Sequence, residues 1–261
     1  MHELPLLLFT LLLQGSVGIT LWLALLPARG ISPRGGLLLA FAMACTGLLA
    51  STLHMGYPLN ALNALRHVAS SWLSREVVFA SLYLAALGLC TLLALWRKPG
   101  GRLLLPLAAL FGVIDVYCMA QIYINTAVIT WQHFNTLILF MGSVGIVGSV
   151  FAALTAPDTR SRRVTLAVML VALVGLVRLL VQSLWMNALS DHAQIVTLPH
   201  APLAAFAQLR TLYTLSWAVS VAGMIAFVLG GLRHAKGLLL AGSALLLLAE
   251  IALRFIFFSI G

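Results

Sequence analysis

The sequence predicts an all-α protein: a polytopic transmembrane helix bundle with about eight transmembrane helices and both termini outside. Of its 261 residues, 62% are hydrophobic and 8% are charged, and the mean hydropathy is +1.08. The apolar residues form continuous runs of about 20 residues, the length that a helix needs to cross a bilayer. The basic residues fall in alternate connectors. This composition excludes a water-soluble protein and predicts a single transmembrane domain over 1–261.

The apolar runs predict helices, because a helix satisfies its backbone hydrogen bonds within itself in hydrocarbon. The strands of a β-barrel would instead alternate in polarity over about ten residues. The first run follows no basic residue, so we expect a spanning helix there and not a removed signal. The predicted helices cover residues 4–26, 37–55, 74–96, 103–125, 135–155, 164–187, 208–232 and 237–259.

The charge distribution predicts the orientation of the helices. Only three basic residues, Arg66, Arg75 and Arg210, lie in or next to the second, fourth and sixth connectors, all three at the second and sixth, whereas ten fall in the other four connectors. Those ten are Arg29, Arg34, Arg97, Lys98, Arg102, Arg160, Arg162, Arg163, Arg233 and Lys236. Because Lys and Arg accumulate on the cytoplasmic side, both termini are expected outside. Such dispersed charge also argues against a nucleic-acid partner, and the surroundings are membrane lipid.

The chain shows no pattern for a redox metal. Cys45, Cys90 and Cys118 fall inside predicted helices without the spacing of an iron–sulfur or zinc site. The histidines lie at helix ends or in connectors, not in pairs at matching depth as a haem between helices requires. We therefore expect no haem, iron–sulfur cluster or other metal ligated by this chain.

The connector between the second and third helices carries the most chemistry. Gly56 and Pro58 are predicted to end helix 2 just after His54, and a Ser-rich signal starts helix 3 a turn before Glu76. Both groups therefore lie at the outer membrane boundary, on consecutive helices. His54 is then either an interfacial histidine bonded to a loop carbonyl or part of a binding site.

Glu76 also has two interpretations. It is either a helix-start carboxylate, stabilised by the helix dipole and Arg75, or a proton acceptor. With His54 and the aromatic residues Trp72 and Tyr57 nearby, it fits a site that takes protons from an amphipathic ring compound.

Three stretches of sequence carry a family resemblance. They are residues 2–10 (HELPLLLFT) with Gln14 and Gly15, the pattern His54-x-Gly-x-Pro-x-x-Ala followed by Ser-Trp-Leu-Ser-Arg-Glu at 71–76, and residues 119–123 (MAQIY) followed by Trp131. They resemble the membrane anchor subunit of bacterial dimethyl sulfoxide reductase. The resemblance implies a multi-pass protein of the bacterial cytoplasmic (inner) membrane with both termini periplasmic.

The resemblance also implies a function. Such a subunit is not an enzyme alone: it binds and oxidises menaquinol near the outer face during anaerobic respiration. It passes the electrons to an iron–sulfur electron-transfer subunit, which feeds a molybdopterin catalytic subunit. His54 and Glu76 match family positions implicated in quinol binding and oxidation. Glu76 is then the base, His54 a donor to a ring oxygen, and Trp72 and Tyr57 walls of the site.

This chain departs from the family pattern at two positions. Asn60 stands where a basic residue is expected, and Gln121 stands where family members often carry Arg. Either the donor to the quinone oxygen is replaced by a nearby basic group, for which Arg66, His67 and Arg75 are the candidates, or the preference for the quinone head group differs.

Three ionisable residues, Asp115, Arg178 and Glu250, are predicted at one depth near the middle of the bilayer. Charges there are costly, so we expect Arg178 to pair with Asp115 or Glu250. These residues leave open a second function, a small-solute or proton-coupled transporter that uses them as its pathway. Transporters often show broken helices and inverted repeats, which are not evident here. A third alternative is a structural anchor without quinol chemistry.

Overall fold

The computed structural model describes residues 4–26, 33–54, 66–98, 100–192 and 202–260, and in these ranges it contains eight helices and no strand. Each helix is long and apolar enough to cross a membrane. The helices are α1 (Leu4–Leu25), α2 (Arg34–His54), α3 (Trp72–Leu95), α4 (Gly101–Ile124), α5 (Asn135–Leu154), α6 (Arg162–His192), α7 (Pro202–Leu232) and α8 (Lys236–Ser259). The all-helical, eight-span prediction is confirmed.

Two helices are longer than predicted. Helix α6 ends at His192 instead of residue 187, and α7 begins at Pro202 instead of residue 208. An apolar run marks the part of a helix that lies in hydrocarbon, but the backbone hydrogen bonds continue into more polar sequence beyond it. The other six helices agree with the prediction to within three residues at each end.

Helix α1 lies at the centre of the bundle, where it contacts α2, α4, α5 and α8. Helix α3 packs along α4, α6 packs on α5, and α7 packs along α8. At one end, the connector between α4 and α5 meets the last turn of α8, where Trp131 Nε1 donates to the Phe257 carbonyl oxygen at 2.8 Å. We call this the Trp131 end, and the opposite end, where α8 begins, the Lys236 end.

Helices α1 and α5 pack closely because a glycine on each helix lies at their contact. A Cβ atom on Gly148 of α5 would lie 2.7 Å from the carbonyl oxygen of Gly18 on α1, so a larger residue would force the backbones apart. Gly142, which precedes Gly148 on α5, leaves space for the guanidinium of Arg178. The small residues of α5 therefore allow close helix packing, as is common in membrane proteins.

Candidate functional site

The start of α3 positions the first candidate residues. The Ser71 side chain caps the helix by accepting a hydrogen bond from the Ser74 backbone N–H at 3.4 Å. This confirms the Ser-rich helix start and satisfies one of the free N–H groups at the helix terminus. Arg75 and Glu76 consequently lie near the beginning of α3, at the Trp131 end.

The Arg75 side chain turns back toward the connector before α3. Its Nε donates to the Val68 carbonyl oxygen at 2.9 Å, and one Nη donates to the Ala69 carbonyl oxygen at 2.6 Å. The guanidinium carbon lies 4.2 Å from the ring centroid of Trp72, within the range of a cation–π contact. Arg75 thus holds the connector against the helix, and the described residues show no ion pair between it and Glu76.

Glu76 faces a second carboxylate, Asp115 on α4. Glu76 is 6% exposed and Asp115 is fully buried. Two contacts between aromatic rings bracket them, with centroids 5.9 and 6.4 Å apart: Trp72 with Tyr117 and Phe79 with Phe111. Glu76 lies between the two α3 rings in sequence and Asp115 between the two α4 rings, so they occupy facing positions. The charges of the two groups are close enough to interact.

In the described part of the chain, the Asp115 carboxylate has no conventional hydrogen-bond partner. Both of its oxygens are buried and, among the described residues, neither has a hydrogen-bond partner. The Tyr83 hydroxyl is close enough to interact with the charge of Asp115. It instead forms hydrogen bonds with Ser16 Oγ at 2.6 Å and Thr20 Oγ1 at 3.0 Å. An ionised carboxylate without a partner is costly to bury, so a proton or another group must neutralise it.

The remaining predicted site residues have different positions. Arg66 and His67 are exposed in the short turn before α3. Gln121 is half-buried on α4, further toward the Trp131 end than Asp115, and its Oε1 accepts a hydrogen bond from Asn125 at 3.2 Å. Tyr57, Asn60 and the His54 side chain lie outside the described residues.

The structure therefore brings Trp72, Arg75 and Glu76 together and adds Asp115, whose predicted depth had grouped it with Arg178 and Glu250. The register of the antiparallel α3–α4 pair was the signal that could have found this arrangement, because it sets which residues face each other.

A separate buried cluster contains the predicted ion pair. Arg178 on α6 donates to both carboxylate oxygens of Glu250 on α8, which confirms one of the two expected pairings. Ser143 on α5 donates to Glu250 Oε2 at 2.6 Å and accepts from Arg178 and Arg254 at 3.1 and 3.0 Å. Arg254 also donates to Gln14 Oε1 on α1 at 2.6 Å. This network joins α1, α5, α6 and α8.

A small cavity, lined mainly by apolar atoms, lies between α5, α6, α7 and α8. The Asn135 amide donates to Gln182 Oε1 at 3.1 Å, while Asn135 Oδ1 and Gln182 Nε2 are buried without a partner among the described residues. Tyr213 and Trp217 also line the cavity, whose volume is about 20 Å³. This volume accommodates about one water molecule and is too small for an aromatic ring. In the described part of the chain, no cluster of His, Cys, Asp and Glu has the arrangement of a metal site.

Comparison with known proteins identifies one family over nearly the whole chain. Residues 1–260 match the family described as DMSO reductase anchor subunit (DmsC). The chain is 31% identical to the C subunit of the anaerobic dimethyl sulfoxide reductase of Escherichia coli (strain K12), in an alignment that covers 99% of this chain and 95% of that protein.

Two other relatives align over shorter stretches. The YnfH subunit of anaerobic dimethyl sulfoxide reductase from the same E. coli strain is 33% identical over 58% of this chain. The C subunit of the anaerobic dimethyl sulfoxide reductase of Haemophilus influenzae is 31% identical over 60%. The matched parts span 57% and 60% of those relatives' own length. No solved structure matches the chain.

Proposed function

The chain belongs to the family of DMSO reductase anchor subunits, and we propose that it binds and oxidises menaquinol at the Trp131 end of the bundle. It passes the electrons to an iron–sulfur subunit, which supplies a molybdopterin catalytic subunit in anaerobic respiration. We place the protein in the bacterial inner membrane with the Trp131 end and both termini facing the periplasm, as the charge distribution between connectors favours.

The observation that carries this proposal is the buried Glu76 carboxylate, which lies near a helix start without a cationic partner among the described residues. Quinol oxidation releases two electrons and two protons, so its site needs a base, a donor that orients the ring oxygens, and apolar walls. Glu76 supplies the base. Its position one turn into α3 gives the released proton a short route to water at the Trp131 end.

The neighbouring groups complete the proposed site. Trp72 and Tyr117 form an aromatic wall beside Glu76. His54, at the end of α2, is proposed to donate a hydrogen bond to one ring oxygen, and this role rests on the family resemblance. Tyr57 is a second proposed wall.

The basic groups around the site have different roles. The Arg75 guanidinium is engaged with two carbonyl oxygens of the connector, so we assign it to positioning that connector. Arg66 and His67 are exposed and are the proposed replacements for the basic group that is absent at Asn60. Gln121 is proposed as a polar contact further along α4.

The transporter alternative required Asp115, Arg178 and Glu250 to form one path. In the structure, Arg178 and Glu250 form a direct ion pair that Ser143 also contacts, whereas Asp115 faces Glu76 between α3 and α4. The acidic residues therefore belong to two different clusters, and this arrangement favours quinol chemistry at Glu76. The third alternative, a structural anchor without quinol chemistry, is distinguished from the proposed function by experiment.

The test is photolabelling of the assembled complex with a photoreactive menaquinol analogue. We expect the label on the peptide that contains Trp72 and Glu76 or on the α4 peptide that contains Asp115 and Tyr117. Menaquinol should compete, and Glu76→Gln should reduce the labelling, whereas Asp158→Asn, at an exposed carboxylate of the Lys236 end, should not. Labelling confined to the cavity at Asn135 would contradict the proposal.

A further inference from the structure

We propose that Asp115 is the positioning partner of Glu76, and that the two carboxyl groups share one proton and accept the quinol proton as a unit. This inference rests on the proposed function. Nothing in the family resemblance assigns a role to Asp115, and the sequence alone grouped it with the ion pair of Arg178 and Glu250.

The placement of the two residues carries the inference. They occupy facing positions on α3 and α4 between two aromatic contacts, where Glu76 is 6% exposed and Asp115 is fully buried. Two carboxylates that face each other in an apolar environment cannot both be ionised at low cost. A single proton between them removes the repulsion and leaves one negative charge.

The other neighbours of Asp115 do not account for its burial. A carboxylate kept only for structure would accept hydrogen bonds from nearby donors, yet among the described residues no donor reaches either Asp115 oxygen. The Tyr83 hydroxyl is shared between Ser16 and Thr20.

Three arginines bind other groups, and the buried Arg163 lies in the first turn of α6, at the Lys236 end. Arg178 binds Glu250, and Arg254 binds Gln14 and Ser143. Arg75 binds the connector carbonyls. Glu76 is thus the group left to share a proton with Asp115.

The chemistry balances with groups already proposed. Menaquinol loses two electrons to the iron–sulfur partner, and both of its O–H bonds break. The first proton goes to the ionised member of the pair, so that both carboxyl groups are neutral. Glu76, which lies nearer the helix start, then releases this proton to water at the Trp131 end, and the pair accepts the second proton in the same way. Asp115 keeps the shared proton and sets the geometry of Glu76 through it.

The experiment compares Asp115→Asn with Glu76→Gln in the complete complex. We expect Asp115→Asn to lower kcat for menaquinol roughly 10- to 100-fold, as the loss of part of a proton-transfer unit would. The affinity for a quinol-analogue inhibitor should stay within about threefold, because Asp115 does not touch the ring. Activity with an artificial soluble donor should not change. The infrared difference spectrum between quinol-reduced and oxidised complex should lose a carboxylic C=O band in both variants, which a merely structural residue would not cause.

The outcomes separate this inference from the proposed function. Full menaquinol turnover and an unchanged carboxylic band in Asp115→Asn, with turnover lost in Glu76→Gln, would overturn the shared proton and leave the quinol site intact. Full turnover in both variants would overturn the proposed function as well. If Asp115→Asn does not accumulate, Asp115→Glu is compared with Asp115→Gln. The two new side chains are equal in size, and only Glu carries a carboxyl group. The inference then requires Asp115→Glu to retain at least about ten times the turnover of Asp115→Gln, and equal turnover would overturn it.

Discussion

Arg178 on α6 and Glu250 on α8 form an ion pair that is almost fully buried, with side chains 2% and 5% exposed. Removing one partner of such a pair leaves an uncompensated charge and costs about 3–5 kcal/mol. We therefore expect Arg178→Ala to reduce the amount of assembled subunit in the membrane, measured by quantitative immunoblotting. Arg162→Ala, at an exposed position on the same helix, is the control and should accumulate normally.

The same variant separates a structural pair from a proton path. If Arg178→Ala accumulated like Arg162→Ala and lost activity alone, the pair would serve a path through the membrane. Normal amount and normal activity together would show that the ion pair contributes to neither.

The glycine contact between α1 and α5 gives a prediction on stability. Gly148→Ala places a Cβ atom against the Gly18 carbonyl, so we expect it to lower the free energy of unfolding by roughly 1–3 kcal/mol. Gly237→Ala is the matched control, because no atom outside its own helix turn lies within 4 Å of its Cβ position. That change should be neutral or stabilise the helix by up to about 1 kcal/mol. Thermal unfolding in detergent measures both, and equal midpoints would contradict the close contact.

The positions of the helices could be predicted from the sequence, because the length of each apolar run is set by the bilayer. The partner of Asp115 could not. Helix assignment gives the depth of a residue but not the direction in which its side chain points, and Asp115 and Arg178 were grouped by depth alone. The pairing of Arg178 with Glu250 could be predicted, because a buried charge needs an opposite charge in any arrangement of the helices. The extension of α6 to His192 was missed because its last turn contains polar residues.

The orientation of the bundle gives a third prediction. In a background without Cys45, Cys90 and Cys118, single cysteines in the basic connectors should resist an impermeant thiol reagent in intact cells. Cysteines in the other connectors should react with it. Suitable positions are Arg34, Arg162 and Lys236 for the first group and Asn60 and Gln194 for the second. The reverse pattern would place the Trp131 end in the cytoplasm and exclude a periplasmic quinol site.

The small cavity at Asn135 provides a test of where the quinol ring binds. Replacing both bonded amides, in an Asn135→Leu, Gln182→Met variant, removes two unpartnered polar atoms and should leave stability nearly unchanged or raise it. Because the cavity of about 20 Å³ is too small for a ring, menaquinol-driven reductase activity should persist. Loss of that activity, with artificial-donor activity retained, would show that the ring binds at this cavity and not beside Glu76.

The central claim is that Glu76 and His54 serve one quinol site. Its most direct test is the ratio of menaquinol-driven to artificial-donor-driven reductase activity in the complex that carries Glu76→Gln and His54→Ala. Glu76→Gln keeps the size of the side chain but removes the base, and His54→Ala removes the proposed donor to the ring oxygen. We predict that the ratio falls by a factor on the order of 10² to 10⁴ while the complex stays assembled. An unchanged ratio in this double variant would contradict the account, because neither residue would then act on quinol.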